Sequence, residues 1–503
     1  MRQLHVVCLA LLVFGGARVA HASPLLELTG GFGGMGGLQA RHTGACAASS
    51  YFNPALLTGA RPGLTVGFLV LNSDIAVRVD GRHPENEVPD GIQNAFHANG
   101  DPIDGKPLPT DWLQNGRPAS ADGSTAALNA RPRQHAGSGE ATLTYGAIGL
   151  VVKLFKERLA LGMYGLVPLK NFITMTSFYV DEREQSMTNS LHPEMYGDRL
   201  TALSFAFAGA LRLTDTLSIG AGATLGLSAY AAAPVYVADA TKISDLDLNI
   251  DVSAKVALTP HAGIAWNPGK RLHLSGTVHA PQKLDVESDF KFLLAGNEQS
   301  SGLAFTYYFQ PWQASAGAGY DFYVHGDQSW GVSGMVHYQR WSKYIDRQSV
   351  RPDGAYEWMD TLSGAGGLRM QNGSLALGVD GQYKPTPVPL QTGRTNYVDN
   401  DRIGMSFTME YGFEIAGVAM KIGGQLQLYR LLERHVTKIT PPASPEGVNR
   451  TPQLVKDELP DDAMVGRNPA PGRAGLQTNN AGWPGYSSLG WVSSGGLYFS
   501  VYL

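Results

Sequence analysis

The chain has 503 residues with 39 basic and 43 acidic side chains, which gives a formal net charge of −4. This mildly acidic balance, without a basic stripe, argues against nucleic acid as a partner. After the first residues, no stretch reaches the roughly 18 uncharged apolar residues that a membrane helix requires, which excludes a helical membrane protein.

Residues 1–22 are predicted to be an export signal. Arg2 precedes an apolar run at 6–14, and Ala20 and Ala22 supply small residues before a cleavage site, so we expect the mature chain to start at Ser23. The run is too short to span a bilayer. An exported chain without a membrane helix can enter a membrane only as a closed barrel.

Residues 23–62 are too irregular for a wall strand and too apolar for a free tail. We predict a compact hatch that folds back into the lumen as a plug. Gly31, Gly33 and Gly36 formally spell a dinucleotide fingerprint, but no buried strand precedes them and no crossover helix follows, so close backbone packing explains them better. With Cys8 removed, Cys46 has no disulfide partner and is predicted to be a small buried residue rather than a nucleophile.

Residues 63–503 alternate apolar and polar side chains over many long runs. In the run 402–415, the apolar face consists of Ile403, Met405, Phe407, Met409, Tyr411, Phe413 and Ile415. About fourteen such strands predict an all-β fold, namely a transmembrane antiparallel β-barrel with lipid outside and a wet lumen. The alternative is an extracellular sandwich, which does not account for so many long strands in one chain.

Short and long connections between these strands take turns. Tight turns are predicted around 156–158, 215, 267–270 and 371–373, and the two longest polar insertions are 80–139 and 440–485. Short turns at one face and long external loops at the other are typical of outer-membrane barrels. Trp112 and Trp483 within the insertions either cap the opening or pack the loops onto the rim.

Several motifs then resemble the FadL family of outer-membrane transporters for long-chain fatty acids and other hydrophobic compounds. Tyr51-Phe52-Asn53-Pro54-Ala55 is similar to the hatch motif of that family. Trp341-Ser342-Lys343, Trp358-Met359-Asp360-Thr361 and the proline-rich 384–389 are similar to later segments, as is Asp399-Asn400-Asp401-Arg402. Found in this order, the motifs are specific to the family, although each alone is weak.

The resemblance implies a fourteen-stranded barrel plugged by its N-terminal hatch. It also implies that the substrate leaves sideways, through a kink in the third strand. The third predicted strand, 159–180, carries Gly165 and Pro168, and a proline removes one ladder hydrogen bond. The alternative is that Pro168 marks a simple bulge without a role in transport. Pro311 lies within another predicted strand, 303–323, so a proline alone does not identify an exit. Asn53 is either an anchor of the plug or a structural turn.

Two features depart from the family pattern. The connections 239–249 and 296–301 are short, so a helical capture groove is not expected there, and Leu503 ends the chain where an aromatic residue is usual. Because of both features, the sequence does not predict which substrate is carried.

Other function classes find less support. Histidines and serines are scattered without a nucleophile elbow or a metal-ligand spacing, so we expect neither an enzyme nor a cofactor or metal. An adhesin acting through the long loops and an open porin remain alternatives. The sequence therefore predicts a monomeric, passive transporter of hydrophobic molecules in a Gram-negative outer membrane, in contact with membrane lipid and the barrel assembly machinery.

Overall fold

The structure is a computed structural model of the 503-residue chain. It describes residues 24–79, 141–169, 195–196, 204–237, 246–248, 251–294, 297–346, 349–352, 354, 357–392, 397–438 and 485–503. The predicted signal at 1–22, the loop at 80–139 and nearly all of the loop at 440–485 lie outside these residues. The same holds for the predicted third strand beyond residue 169.

Most of the described chain is β-strand. The strands are β1 (Gly63–Val79), β2 (Ala141–Leu154), β3 (Leu159–Pro168), β4 (Ser204–Arg212), β5 (Leu217–Val237), β6 (Leu246–Leu248), β7 (Asp251–Trp266), β8 (Leu272–His279), β9 (Gln282–Leu294), β10 (Asn297–Gln310), β11 (Gln313–His325), β12 (Gln328–Gln339), β13 (Thr361–Asn372), β14 (Leu375–Lys384), β15 (Arg402–Ile415), β16 (Val418–Thr437) and β17 (Gly485–Tyr502).

Fourteen of these strands form a closed antiparallel wall. The wall runs through all the strands except β6, β9 and β10, and β17 closes it by pairing with β1 from Gly63↔Tyr502 to Val79↔Tyr486. Every pair of neighbours within it is antiparallel. The predicted fold class is confirmed. In the described part of the chain, no helix is long and apolar enough to cross a membrane.

The predicted faces of β15 are confirmed by exposure. Met405 is 60% exposed and Phe407 44% exposed on the outside, whereas Ser406 and Thr408 are 4% and 1% exposed on the inside. Because side chains of a strand alternate, one strand can present a lipid-compatible face outward and a polar face inward.

The four predicted tight turns join β2 to β3, β4 to β5, β7 to β8 and β13 to β14. The first of them uses left-handed backbone at Phe155, Lys156 and Glu157. Together with the chain end at Leu503, these turns define what we call the turn end of the barrel. The opposite end is the loop end.

Two predicted strands are wrong in one respect. The predicted strand 303–323 breaks at Pro311, and the alternating run that follows the turn at 267–270 breaks at Pro281 instead of forming one strand over 272–292. β8 and β11 therefore stay in the wall while β9 and β10 leave it. The short connection expected at 296–301 also falls mostly within β10, which pairs with β9 from Asn297↔Leu294 onward.

The N-terminal segment lies inside the barrel. It contains α1 (Pro24–Thr29), α2 (Ala40–Thr43), α3 (Ser49–Phe52) and a 3-10 helix at Pro54–Thr58. The 3-10 helix packs on β4, β5 and β7, and α2 packs on β8 and β11. The lumen between these strands is therefore occupied by the segment's own side chains and backbone.

Candidate functional site

The motif at 51–55 lies at the centre of the N-terminal segment. Tyr51, Phe52 and Asn53 are 0–2% exposed. Asn53 Nδ2 donates to the carbonyl of Arg41 at 2.9 Å and to the wall carbonyl of Ile264 at 3.4 Å, while its Oδ1 accepts from Ala55 N at 3.2 Å. Asn53 thus joins α2, the 3-10 helix and β7 through backbone groups, and Pro54 starts the 3-10 helix.

A buried ion pair ties the two halves of the segment together. Arg41 donates to both carboxylate oxygens of Glu27, with Nη1 3.0 Å from Oε2, and Tyr51 donates its hydroxyl hydrogen to the same carboxylate. Burial raises the pKa of Glu27, but the charge and hydrogen bonds of Arg41 outweigh burial and hold this pKa well below its ordinary range. Burial, and then the Glu27 charge, raises the pKa of Tyr51. Glu27 is therefore an anion and Tyr51 a neutral donor.

Two wall glutamines hold this ion pair. Gln310 Nε2 donates to Glu27 and to the Tyr51 hydroxyl, at 3.2 Å in both cases, and Arg41 Nη2 donates to Gln313 Oε1 at 3.0 Å. Because Gln310 ends β10 and Gln313 begins β11, the ion pair is fixed at the point where the wall breaks.

A second ion pair anchors the glycine-rich part of the segment. Arg369 on β13 binds Asp380 on β14 at 2.7 and 2.9 Å and also donates to the carbonyls of Met35 and Gly36. Asp380 in turn accepts from Leu38 N at 3.1 Å. Gly37 has a φ of +50°, and a Cβ there would lie 2.3 Å from Asp380 Oδ2, so glycine is required for this approach.

The remaining family-like motifs meet at the loop end. Trp341, Trp358 and Tyr397 form one buried aromatic cluster with Phe309, Tyr344 and Val388. The rings of Tyr344 and Trp358 are stacked at 3.5 Å. The cluster narrows the mouth of the barrel with apolar side chains.

The motif at 399–402 holds this mouth in place. Asp399 accepts from Thr386 Oγ1 at 2.7 Å, and Asp401 accepts from Thr386 N at 2.8 Å. Asn400 Nδ2 donates to the carbonyls of Leu432 and Ser488, both at 2.8 Å. The first three residues of the motif are therefore bound to neighbouring protein groups.

Arg402, the fourth residue of the motif, faces a cavity instead. This cavity measures about 40 Å³ and is lined by Glu27, Leu28, Phe309, Lys384 and Arg402 among others. Arg402 is 5% exposed, its Nε has no partner, and its guanidinium lies 5.6 Å from the ring centre of Tyr196. Lys384 is its direct neighbour across β14 and β15, so two basic side chains border one small space beside apolar side chains.

The lumen lining is apolar in one sector, which we call the apolar sector. It comprises inward side chains of β16, β17, β1, β2 and β3 with one alanine of β4, and α1 packs on it through Leu25, Leu26 and Leu28. Its wall members are Leu69, Leu71, Ile75, Val77, Tyr145, Ala147, Tyr164, Leu166, Ala206, Tyr429, Leu431, Val436, Tyr486, Val492 and Tyr498. A water-filled pore has a polar lining, so this sector differs from a porin wall.

The predicted exit residues lie at the edge of the apolar sector. Pro168 ends β3 opposite Tyr145, and β3 remains paired with β4 as far as Leu166↔Ser204. Gly165 faces outward, where a Cβ would lie 2.2 Å from the ring of Phe205. The wall is therefore closed up to this level, and the continuation toward 180 lies outside the described residues.

Cys46 is the free cysteine of the described residues, and a Cβ on Gly34 would lie 2.6 Å from its sulfur. Burial raises its pKa to about 11, so the thiol is protonated at neutral pH. Among the described residues, no group of three His, Cys, Asp or Glu could hold a metal ion.

Sequence reasoning did not single out Glu27, Arg41, Arg369 or Asp380, and it placed Lys384 only at the start of the family-like segment 384–389. The available signal was the presence of charged residues at inward positions of strands and in an otherwise apolar segment. Within the two ion pairs the partners are only 14 and 11 positions apart, but the contacts between the segment and the wall reach 342 positions for Leu38 and Asp380, so only the closed barrel brings the segment and the wall together.

No protein-family model matches the chain, and no curated protein matches it. Similar solved structures include a Pseudomonas aeruginosa FadL homologue, at 15% identity and a TM-score of 0.49 over 96% of this chain and 99% of that one. The Pseudomonas putida toluene transporter TodX is 11% identical with a TM-score of 0.46, over 95% of this chain and 99% of that one. The Ralstonia pickettii toluene transporter TbuX is 11% identical with a TM-score of 0.42, over 97% and 100%.

The family that the motifs resemble therefore also appears among the solved structures that this chain is similar to. At these identities and TM-scores, the likeness carries no argument about what this chain transports.

Proposed function

We propose that the chain is a passive outer-membrane transporter for long-chain fatty acids or similar hydrophobic molecules, with residues 23–62 as its hatch. The apolar sector carries this proposal. Removing each CH2 group of a hydrocarbon chain from water is favourable by about 0.8 kcal/mol of free energy. An apolar inner wall therefore offers the chain a path that an aqueous pore does not. Such transport needs a displaceable plug and no catalytic group.

The small cavity supports a substrate with an anionic head. Lys384 and Arg402 border it, and Arg402 has an unpartnered donor that is buried. A carboxylate there would accept charge-assisted hydrogen bonds. A volume of about 40 Å³ admits a head group only, so the hydrocarbon tail would have to displace α1 from the apolar sector.

We also propose lateral exit beside β3. The apolar sector ends at Tyr145 and Leu166, next to Pro168, so a tail lying along this sector reaches the wall where β3 ends. Moving from there into the bilayer keeps the tail out of water throughout.

Uptake of labelled oleate tests the transport proposal. Cells that lack their own fatty-acid transporter would express this protein, or an empty vector, with surface levels matched by immunoblot. We expect uptake above the vector control. A correctly inserted protein without uptake of oleate or of a neutral hydrocarbon would contradict the proposal.

Exit beside β3 is tested by a Pro168→Ala variant in the same cells. A restored backbone N–H allows the strand to pair further, so we expect lower uptake. Pro268→Ala, in the β7–β8 turn, is the matched control and should leave uptake unchanged. Equal uptake by both variants would argue for another exit.

A further inference from the structure

α1 combines the two parts of a long-chain acid. Its side chains Leu25, Leu26 and Leu28 are 0%, 0% and 6% exposed and lie among the side chains of the apolar sector. Glu27, which stands between them in the sequence, supplies the carboxylate of this six-residue helix. The helix thus places an aliphatic surface and an anion in the lumen, as a bound fatty acid would.

The carboxylate of Glu27 is held by four donors that all lie outside α1. Arg41 supplies two of them, with Nη1 3.0 Å from Oε2. The Tyr51 hydroxyl supplies the third, and Gln310 Nε2 supplies the fourth at 3.2 Å from Oε1. Charge-assisted hydrogen bonds of this kind form with any carboxylate in the right position, so these donors can hold a ligand as well as Glu27.

The position of Arg41 does not depend on α1. Its backbone carbonyl accepts from Asn53 Nδ2 at 2.9 Å and from Ser275 Oγ of β8 at 3.4 Å. Its Nη2 donates to Gln313 of β11 at 3.0 Å, and its guanidinium lies 5.4 Å from the ring centre of Phe52. Arg41 therefore stays in place as a buried cation when α1 moves away.

The charge of Arg41 limits which ligand can replace α1. The side chains of Arg41 and Glu27 are 6% and 10% exposed. Removing one partner of a buried ion pair leaves an uncompensated charge, which is strongly unfavourable. A neutral hydrocarbon in place of α1 would leave Arg41 in that state, whereas a ligand with a carboxylate would restore the pair.

The place of Glu27 adjoins the small cavity at the loop end. Glu27 and Gln310 line this cavity together with Lys384 and Arg402. A carboxylate in the place of Glu27 is therefore bordered by Arg41 on the side of the N-terminal segment and by two basic side chains on the side of the cavity.

We propose that Arg41, Tyr51 and Gln310 belong to the head-group site of the substrate, and that α1 occupies this site as an internal substitute for a long-chain acid. The carboxylate of the substrate takes the place of the Glu27 carboxylate, and its tail takes the place of the leucines. This inference rests on the proposed function and names its substrate class. Long-chain carboxylic acids are preferred over neutral hydrophobic molecules of the same length.

The hydrogen bonds from β16 to α1 do not alter this preference. Tyr429 donates to the carbonyl of Leu28 at 3.0 Å, and Gln425 and Gln427 donate to the carbonyl of Thr29. These bonds break for any ligand that displaces α1, whether the ligand is charged or neutral. They therefore lower the affinity for all such ligands alike.

Titration of the purified protein with oleate and with methyl oleate tests the exchange. Glu27→Gln removes the anion with which the substrate competes, so the affinity for oleate should rise about ten- to hundredfold. The affinity for methyl oleate should rise by a similar factor, because it displaces the same helix. The ratio of the two affinities should therefore stay that of the parent protein.

A double variant, Glu27→Gln with Arg41→Gln, isolates the contribution of Arg41. Both variants lack the Glu27 carboxylate, so α1 is loosened in both, but only the double variant lacks the cation. The ratio of oleate affinity to methyl oleate affinity should be about ten- to hundredfold lower in the double variant than in Glu27→Gln.

Glu410→Gln is the matched control. Glu410 is 3% exposed, accepts from Lys421 Nζ at 2.7 Å and accepts from the Tyr498 hydroxyl, so it has the same kinds of partner as Glu27. It lies on the wall strand β15 and not on α1. This variant should leave both affinities unchanged.

Two results would overturn the inference: an unchanged oleate affinity in Glu27→Gln, or an equal affinity ratio in Glu27→Gln and the double variant. If Glu27→Gln does not insert, as judged by heat-modifiable mobility on gels, Glu27→Asp replaces it. That variant keeps Arg41 paired through a shorter side chain, and it should still bind oleate more tightly than the parent; an unchanged affinity would count equally against the inference. Binding of neither ligand by the parent or the variants would instead contradict the proposed function and this inference together.

Discussion

The two sides of the lumen hold the N-terminal segment by different forces. On β16, β17, β1, β2 and β3, α1 lies among aliphatic and aromatic side chains of the apolar sector, and three β16 side chains also donate to the carbonyls of Leu28 and Thr29 at the end of α1. On β13 and β14, and at the β10–β11 break, the segment is held by ion pairs and glutamine side chains. Apolar contact is non-directional, whereas buried charges demand fixed geometry.

This difference bears on the proposed hatch, which has to be held firmly and still be displaceable. The ion pairs fix the position of the segment. The apolar side can exchange α1 for a hydrocarbon tail, which keeps the same wall out of water, once the hydrogen bonds from β16 to Leu28 and Thr29 are broken. We infer that displacement begins at α1 and pivots on the Arg369–Asp380 anchor.

The largest effect should come from breaking that anchor. Asp380→Asn leaves Arg369 without its charge partner, and removing one member of a buried pair typically costs about 3–5 kcal/mol. We expect a loosened segment and a steady ion current in planar bilayers, and little current through the parent protein. Asp321→Asn, in the exposed pair with His273, should keep the current low, because exposed pairs contribute little.

A smaller effect is expected from the cavity cations. Lys384→Gln removes one charged donor, worth about 1.5–3 kcal/mol, so the apparent affinity for oleate should fall about ten- to hundredfold. The affinity for methyl oleate, which lacks the anionic head, should be unchanged. An equal loss for both ligands, measured by titration of the purified protein, would place the head group elsewhere.

Single substitutions in the apolar sector should reduce the affinity for oleate less than Lys384→Gln does. Leu71→Ala removes contact with one or two CH2 groups at about 0.8 kcal/mol each, so oleate affinity should drop about four- to fifteenfold. Ser494→Ala, the paired position on β17, should have little effect. If both variants behave alike, the tail does not follow this wall.

The smallest effect concerns pH. Burial, and then the nearby charges of His273 and Arg369, lower the pKa of His42 to about 4. As the pH falls, His42 takes up a proton near pH 6.5 in the unfolded state but only near pH 4 in the folded state. The free energy of unfolding therefore decreases between about pH 6.5 and pH 4. Ion current should rise slightly over this range, and His42→Gln should flatten the dependence. A rise in ion current that persists in the His42→Gln variant would show that another titratable group causes it.

Much of the wall was predictable because alternation is a local property. The two faces of β15 follow from period-two patterning. The family-like motifs also marked the mouth, where Trp341, Trp358 and Asp399 come together.

The contacts that could not be predicted from the sequence depend on the register of the strands. Pro311 was visible, but its position opposite Pro281 exists only once β8–β9 and β10–β11 are paired. Glu27 and Arg41 meet because the segment folds back within a closed wall. Such long-range contacts leave no periodic trace, so only the geometry identifies them.

Photolabelling tests the central claim most directly. A fatty acid with a diazirine in mid-chain would be irradiated with the purified protein, and labelled residues would be located by mass spectrometry with unlabelled oleate as competitor. The account predicts competed labels on the apolar sector, at residues such as Leu71, Tyr145 and Leu431. Competed labels confined to the polar wall of β8, β11 and β12, or to the outer surface, would contradict it.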